Sequence, residues 1–326
     1  MVWGTETGAA KSRARFLCCR YTRIELSARF AYNLRVPVPK HPPLDAATRY
    51  CAVLGHPIRH SASPAMQNAG IAKLKLNWRY LAFDVHPDNL REAIAGAKAK
   101  NFIGLNLTVP HKLLAVKMVD ELSASAKTWG AVNTIQFISR RNKIITLGHN
   151  TDADAITRSL REDLGVKLRG AKVLLLGAGG AGRTAALKLA SENMAELFLV
   201  NRTKSKAAAV AREIRRRFPR VKVSVGYPSG KVDLLLNATS LGLKPGDASP
   251  LDEKQFSLKQ ARAVYDMIYR PAETKLLKAA KRAGCKTTNG LGMLLHQGAA
   301  ALEIWSGKRA PVPAMRRALE QNIYGR

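Results

Sequence analysis

An apolar run from Lys172 to Leu176 passes directly into Gly177-Ala178-Gly179-Gly180-Ala181-Gly182, and Arg183 to Asn193 then has the composition of a helix. A strand that turns through glycines straight into a helix has few three-dimensional solutions. Gly177, Gly179 and Gly182 match the spacing in which one glycine makes a tight turn, the next lets backbone approach a pyrophosphate, and the third lets helix pack on strand. The first N–H groups of such a helix lack intrahelical partners and suit a phosphate. A dinucleotide cradled by Gly177, Ala178, Gly179, Gly180, Ala181 and Gly182 is therefore expected.

The flanking sequence supplies the rest of a doubly wound sheet. Ala153 to Leu164 has helical spacing. Glu196 to Val200 and Val221 to Val225 read as strands around a helix from Lys204 to Phe218, and Val232 to Asn237 and Ala263 to Met267 follow as strands. Alternating strands and helices of this length predict a parallel sheet of the Rossmann type. A second alternation precedes it. Tyr50 to Leu54 reads as a strand broken by Gly55-His56-Pro57, Pro64 to Lys75 as a helix, and Trp78 to Val85 as a strand. Asn89 to Lys100 is then a helix, and Phe102 to Val109 a strand ended by Pro110. This predicts a small open sheet covered by helices. The fold class is α/β with two domains, for which 326 residues suffice.

The end of the second Rossmann strand selects the dinucleotide. A site for NAD usually carries Asp or Glu there, to bond the ribose 2′-hydroxyl. Here Phe198-Leu199-Val200 runs into Asn201-Arg202-Thr203-Lys204-Ser205-Lys206, with no acid. A guanidinium and nearby ammonium groups suit a 2′-phosphate, so the expected cofactor is NADP.

A hydride carrier needs a proton partner if it is to reduce a ketone. Lys112 closes Asn106-Leu107-Thr108-Val109-Pro110-His111-Lys112, just after a predicted strand, and Asn150-Thr151-Asp152 follows about forty residues later. A positioned acid at such a site contributes roughly 10²- to 10⁴-fold in rate. Lys112 is the candidate for it, with Asp152 as the carboxylate that would hold and tune the ammonium. Asp152 could also serve as the N-cap of the helix from Ala153, and Ser63 as an N-cap with Pro64 at N1.

These segments, in this order, resemble the shikimate dehydrogenase family from about residue 49 to 322. The resemblance implies NADP-dependent, reversible reduction of 3-dehydroshikimate to shikimate, in chorismate and aromatic amino-acid biosynthesis. It implies Ser61 and Ser63 at the substrate carboxylate with Tyr269 nearby, and Asn106, Asn133 and Gln297 reading ring hydroxyls with Thr108 beside them. It also places Asn201, Arg202 and Thr203 at the adenosine phosphate, with Lys206 where the family often has a second Arg. Thr239, Met267 and Gly290 stand in segments bordering the nicotinamide. By the same resemblance, residues 290–326 return to residues 48–150 as a substrate domain, and residues 151–289 form the NADP domain. Two departures stand out: His149 replaces an acid and Ala153 a glycine. His111, where an aromatic is frequent, could alter the pH response near Lys112. A broader quinate/shikimate dehydrogenase, or a regulatory NADP-binding relative, shares most of these motifs.

The formal charge of +31, from 54 Lys and Arg against 23 Asp and Glu, favours anionic partners of any kind. The cations are spread along the chain, however. Their densest cluster, Arg212, Arg215, Arg216, Arg217 and Arg220, ends a predicted helix, where cations suit the helix dipole and solvent. No nucleic-acid signature accompanies them, so no specific nucleic acid is expected. Cys18, Cys19, Cys51 and Cys285 are too few and scattered for a disulfide framework or a metal site, and reduced thiols are expected. No apolar run of membrane-spanning length occurs. Residues 1–47 hold eight Lys or Arg against three acids and end in Pro37, Pro39, Pro42 and Pro43. They read as a basic extension that catalysis does not require, with the composition of a transit peptide as the alternative. The expected setting is a cytoplasmic monomer or homodimer with no membrane partner.

Overall fold

The computed structural model describes residues 44–141 and 143–325. In chain order the elements are β1 (Arg49–Gly55), α1 (Ser63–Lys73), β2 (Trp78–Asp84), α2 (Leu90–Ala99), β3 (Gly104–Leu107), α3 (His111–Leu114), β4 (Glu121–Leu122), α4 (Ala124–Trp129), β5 (Thr134–Arg140) and β6 (Lys143–His149). There follow α5 (Asp152–Leu164), β7 (Lys172–Leu176), α6 (Gly180–Ser191), β8 (Glu196–Val200), α7 (Lys204–Arg217), β9 (Lys222–Val225), β10 (Val232–Asn237) and β11 (Ala261–Asp266). Last come α8 (Lys275–Arg282), β12 (Lys286–Asn289), α9 (Leu291–Ser306) and α10 (Val312–Tyr324). The expectations about Cys18, Cys19 and the proline cluster fall outside the described residues.

The strands form two six-stranded sheets. The second has the order β12-β11-β10-β7-β8-β9, all parallel, so the chain winds outward in both directions from β7. β7 is central and wholly apolar after Lys172, as a strand covered by helices on both faces must be. α7 buries Ala207, Val210, Ala211 and Ile214, one stripe at helical spacing, against that sheet.

The first sheet has the order β2-β1-β3-β5-β6-β4. It is mainly parallel: only β5 runs against the rest, pairing antiparallel with both β3 and β6. The strands β4, β5 and β6 are additions to the sequence reading. The β5–β6 hairpin closes on the Arg140–Lys143 pair, and Arg141, at φ +49°, opens an Arg-Asn loop that lacks the glycine of the usual Asn-Gly or Asp-Gly signal. β12 was also missed, because Lys286-Thr287-Thr288-Asn289 is polar and half exposed at the edge of its sheet.

Cys51, Val53, Met66, Ile71 and Tyr80 of the first sheet and α1 form one core with Leu291, Leu295, Leu302, Trp305, Met315 and Leu319 of α9 and α10. Each fully buried aliphatic side chain there contributes roughly 1.5–3 kcal/mol, so the last two helices are a major part of what holds the first sheet. α5 packs on α9 and places its own Ile156, Leu160 and Leu164 in the core of the second sheet.

Residues just ahead of the expected boundary at 48 already join the first sheet's surroundings. Asp45 Oδ1 accepts from Ala47 N–H, Thr48 Oγ1 and Asn77 Nδ2, and Thr48 is buried. Arg212, Arg215, Arg216 and Arg220 are exposed, as expected of a solvated helix end, and Arg217 is the exception. Arg217 binds Glu213 at 3.0 Å and Thr128 O at 2.7 Å, and lies over the Trp129 and Phe218 rings. Arg183 joins the same Glu213 and donates to Trp129 O. This cluster ties α6 and α7 to α4. Among the described residues no helix is long and apolar enough to cross a membrane, and no group of His, Cys, Asp or Glu is placed to hold a metal ion. Cys51 and Cys285 are free thiols.

Candidate active site

The turn after β3 fixes where Lys112 starts. His111 N–H closes on Thr108 O at 2.8 Å, and the Lys112 carbonyl accepts from Val132 N–H at 2.8 Å. His111 is wholly buried, and its Nε2–H donates to Val85 O at 2.9 Å, at the end of β2. So anchored, Lys112 extends Nζ to Asp152 Oδ2 at 2.7 Å, with the carboxylate largely enclosed.

Asp152 is the first residue of α5, not its cap; Thr151 holds that position, and Asn150 Oδ1 accepts from Ala153 N–H instead. Ser63 likewise lies inside α1, after Ala62, and donates its N–H to Ser61 Oγ. Neither N-cap expectation holds, because in each case the helix begins one residue earlier than the polar pattern suggested. Ala153, where a glycine was expected, is helical and fully buried, so the position makes no demand for left-handed backbone.

Asn133 organises the carboxylate. Its Oδ1 accepts from Thr151 N–H at 2.7 Å, while Nδ2 reaches Thr151 Oγ1 at 2.8 Å, Asp152 Oδ1 at 3.1 Å and Gln297 Oε1 at 3.5 Å. Asn106 is as fully engaged: its Nδ2 donates to Asn133 O and Thr134 Oγ1, and its Oδ1 accepts from Tyr80 Oη at 2.8 Å. Sequence reasoning missed Tyr80, whose partner lies on another strand 26 residues away.

A cavity of about 350 Å³ opens over these groups. Ser61, Ser63, Asn106, Thr108, Lys112 and Asp152 line one side of it. Tyr269, Gln297, Ala181, Met267 and Gly290 line it as well, so the glycine turn and the amine–carboxylate pair share one space. Asn133 stands behind the wall. The volume suits a small polyol. A larger open concavity of about 710 Å³, around Glu273, Lys281, Thr288 and Tyr324, contains none of these residues. Burial pushes the Tyr269 phenol up, against the nearby Arg270, which keeps it a neutral hydroxyl at ordinary pH.

The nucleotide side is built from backbone. Gly177 sits at φ +106° and donates to Val200 O at 2.7 Å. A methyl on Gly182 would collide with the Gly177 carbonyl, so helix and turn can close this tightly only without one. Asn201 braces the turn, accepting from Ala178 N–H at 3.0 Å and donating to Thr203 O at 2.9 Å. Beyond it Arg202, Thr203 and Lys206 are exposed, and no ion pair among the described residues engages Arg202, Lys204 or Lys206. An open glycine cradle, with free cations and no acid after β8, fits a phosphorylated dinucleotide. On the far side, Asn237 Oδ1 accepts from Thr239 N–H and Oγ1, and its Nδ2 donates to the buried Asp266. Asp266 also accepts from Thr274 Oγ1 and Ile268 N–H, which fixes the turn carrying Met267. Burial raises the Asp266 carboxyl against those hydrogen bonds.

Residues 53–135 match the shikimate dehydrogenase substrate binding domain, residues 159–226 the shikimate / quinate 5-dehydrogenase description, and residues 290–320 the shikimate 5′-dehydrogenase C-terminal domain. The shikimate dehydrogenase (NADP(+)) of Methanopyrus kandleri is 39% identical over 287 residues, 86% of this chain and 98% of the relative. The chain belongs to the shikimate dehydrogenase family. Among solved structures, a shikimate dehydrogenase in complex with NADP+ matches with a TM-score of 0.79 and 38% identity, over 87% of this chain and 99% of that one. The 5-ketofructose reductase of Gluconobacter sp. strain CHM43 matches at 0.74 and 35%, over 85% and 100%. Shikimate dehydrogenases and a sugar-ketone reductase thus share this architecture.

Three histidines should make the stability pH-dependent. Burial holds His111, His149 and His296 below the ordinary imidazole value of 6.5. For His111, Nδ1 is buried with no partner among the described residues, so a second proton there would go unpaired. The unfolded chain takes up protons that the folded chain resists, so stability should fall as pH drops through and below about 6.5. Thermal denaturation between about pH 7 and pH 5, above the usual carboxylate range, is expected to show a declining Tm, with a shallower slope in His111→Phe.

Proposed function

We propose that the protein is an NADP-dependent shikimate dehydrogenase that interconverts 3-dehydroshikimate and shikimate. The observation that carries the reading is the 2.7 Å Lys112–Asp152 pair, set in a cavity that Ala181, Met267 and Gly290 also border. When bound, NADP supplies or accepts the hydride at the ring carbon. The protein's own groups do the rest. Lys112 Nζ delivers a proton to the ketone oxygen in reduction and receives it back in oxidation. Asp152 holds Nζ in place and Asn133 holds Asp152, so little reorganisation remains for the reaction itself. Ser61, Ser63 and Tyr269 supply neutral donors for the substrate carboxylate, and Asn106, Thr108 and Gln297 meet the ring hydroxyls.

Arg202, with Lys206, takes the 2′-phosphate, and the turn from Gly177 to Gly182 takes the pyrophosphate. Residues 48–150 with 290–326 serve as the substrate domain and residues 151–289 as the NADP domain, and catalysis does not require residues 1–47. The enzyme works in the cytoplasm as a monomer or homodimer. The deciding measurement follows NADPH absorbance with shikimate plus NADP, and absence of turnover would sink the reading. Quinate and 5-ketofructose, run in parallel, separate a strict enzyme from a broader one. Arg202→Asp should lower preference for NADP over NAD by about tenfold or more, since a charge-assisted hydrogen bond is worth roughly 1.5–3 kcal/mol. An unchanged ratio of the two kcat/KM values would remove Arg202 from the phosphate site.

A further inference from the structure

Tyr80 lies on β2, at the edge of the first sheet, where it is the only fully buried position of its strand. Its place is strongly determined. Asn68 on α1 clamps its backbone from both sides, accepting from Tyr80 N–H at 2.9 Å and donating to Tyr80 O at 2.8 Å. Its ring tilts against Trp305 at 6.2 Å, and Trp305 is itself tied to Ile135 O. The phenol oxygen is thereby carried to Asn106, 2.8 Å from Oδ1, and Ser63 lies within reach of the same oxygen.

Polar bookkeeping around Asn106 follows from this. A primary amide has two N–H donors and one oxygen with two acceptor sites. Both donors are spent inside the protein, on Thr134 Oγ1 at 3.0 Å and Asn133 O at 3.2 Å. Turning the amide over would set its oxygen against the Asn133 carbonyl, so the orientation is unique. Tyr80 Oη–H occupies one acceptor site of Oδ1. What Asn106 can offer the cavity is the remaining one. We infer that Tyr80 is a specificity-determining positioning residue, which acts through Asn106 so that the site presents a fixed acceptor and selects a substrate hydroxyl able to donate. The inference rests on the proposed polyol dehydrogenase function and deepens it: a ketone, ether or fluorine at that ring position would meet an acceptor facing an acceptor.

The test is a double-mutant cycle on the full-length enzyme, read by steady-state kinetics with shikimate and NADP. Tyr80→Phe keeps the ring and removes the hydrogen bond to Asn106 Oδ1. It should raise KM for shikimate about three- to tenfold, the scale of one neutral hydrogen bond, with kcat and KM for NADP close to wild type. In an Asn106→Ala background the same change should add nothing further, because the residue through which Tyr80 acts is gone. Thr134→Val, which frees the amide from its other side, should shift KM in the same direction and keeps the test open if Tyr80→Phe folds poorly. Two results would overturn the inference: a lowered Tm with unchanged KM in Tyr80→Phe, or independent, multiplying losses in the double variant. Wild-type turnover on shikimate reports separately on the proposed function, and the cycle can be run with whichever polyhydroxy substrate the wild type accepts.

Discussion

Lys112→Ala is expected to lower kcat for shikimate oxidation by about 10²- to 10⁴-fold, the range for loss of a positioned proton-transfer group. The Kd for NADP should hardly change, because Lys112 lies on α3 of the first lobe while the glycine turn belongs to the second. The variant leaves Asp152 largely enclosed without its ammonium partner, though still bonded by Asn133. Some loss of Tm is therefore expected too. Asp152→Asn provides the internal control: its amide keeps the shape but lacks the charge that holds Nζ. If the Lys112–Asp152 pair acts as a unit, the double variant should be hardly slower than the worse single one. Rapid turnover in Lys112→Ala would show that another group moves the proton.

The second large effect concerns Gly182. A Cβ there would strike the Gly177 carbonyl, which is backbone and has no rotamer to escape into. Overpacking of this kind typically costs about 1–3 kcal/mol. In Gly182→Ala the turn must open and draw Ala178 N–H away from Asn201, so both Tm and NADP affinity should drop, affinity by about ten- to a hundredfold. Gly179→Ala makes the contrast. Nothing in the protein lies within 4 Å of a Cβ at Gly179, and its φ of −74° is ordinary. Its Tm should therefore hold while NADP binding weakens, because the added methyl would stand where the pyrophosphate approaches. Dye-monitored melting with and without NADP distinguishes the two. Equal Tm losses would mean that the glycines serve packing alone.

The features legible in the sequence were those carried by neighbouring residues. The strand–glycine–helix unit, the central apolar strands β1 and β7 and the stripe of α7 all announce themselves within a dozen positions. The absence of an acid after β8 is equally local. The motifs around Asn106, Asn133 and Asn150 marked the right neighbourhood but not its wiring. Asn133 donates to Asp152 from the end of a hairpin that the reading left out, and nothing near Asn106 foretells Tyr80. The arginine cluster shows the same limit. As a string it looked like a solvated helix end, yet Arg217 is held by Glu213, Thr128 O and the Trp129 ring, contacts that only the fold brings together. β12 carries hardly any signal, since an edge strand of threonines and lysine differs little from a loop.

The core shared by the first sheet, α9 and α10 has a consequence for how the molecule is made. During synthesis Cys51, Val53 and Met66 leave the ribosome long before Leu295, Trp305 and Met315, their eventual neighbours. That face of the first sheet must wait uncovered until α9 and α10 have been made, whereas the strands β7 to β12 have their own core partners in the meantime. A chain released after Asn289 would thus hold every strand of the second sheet, joined to a first sheet that lacks half of its core.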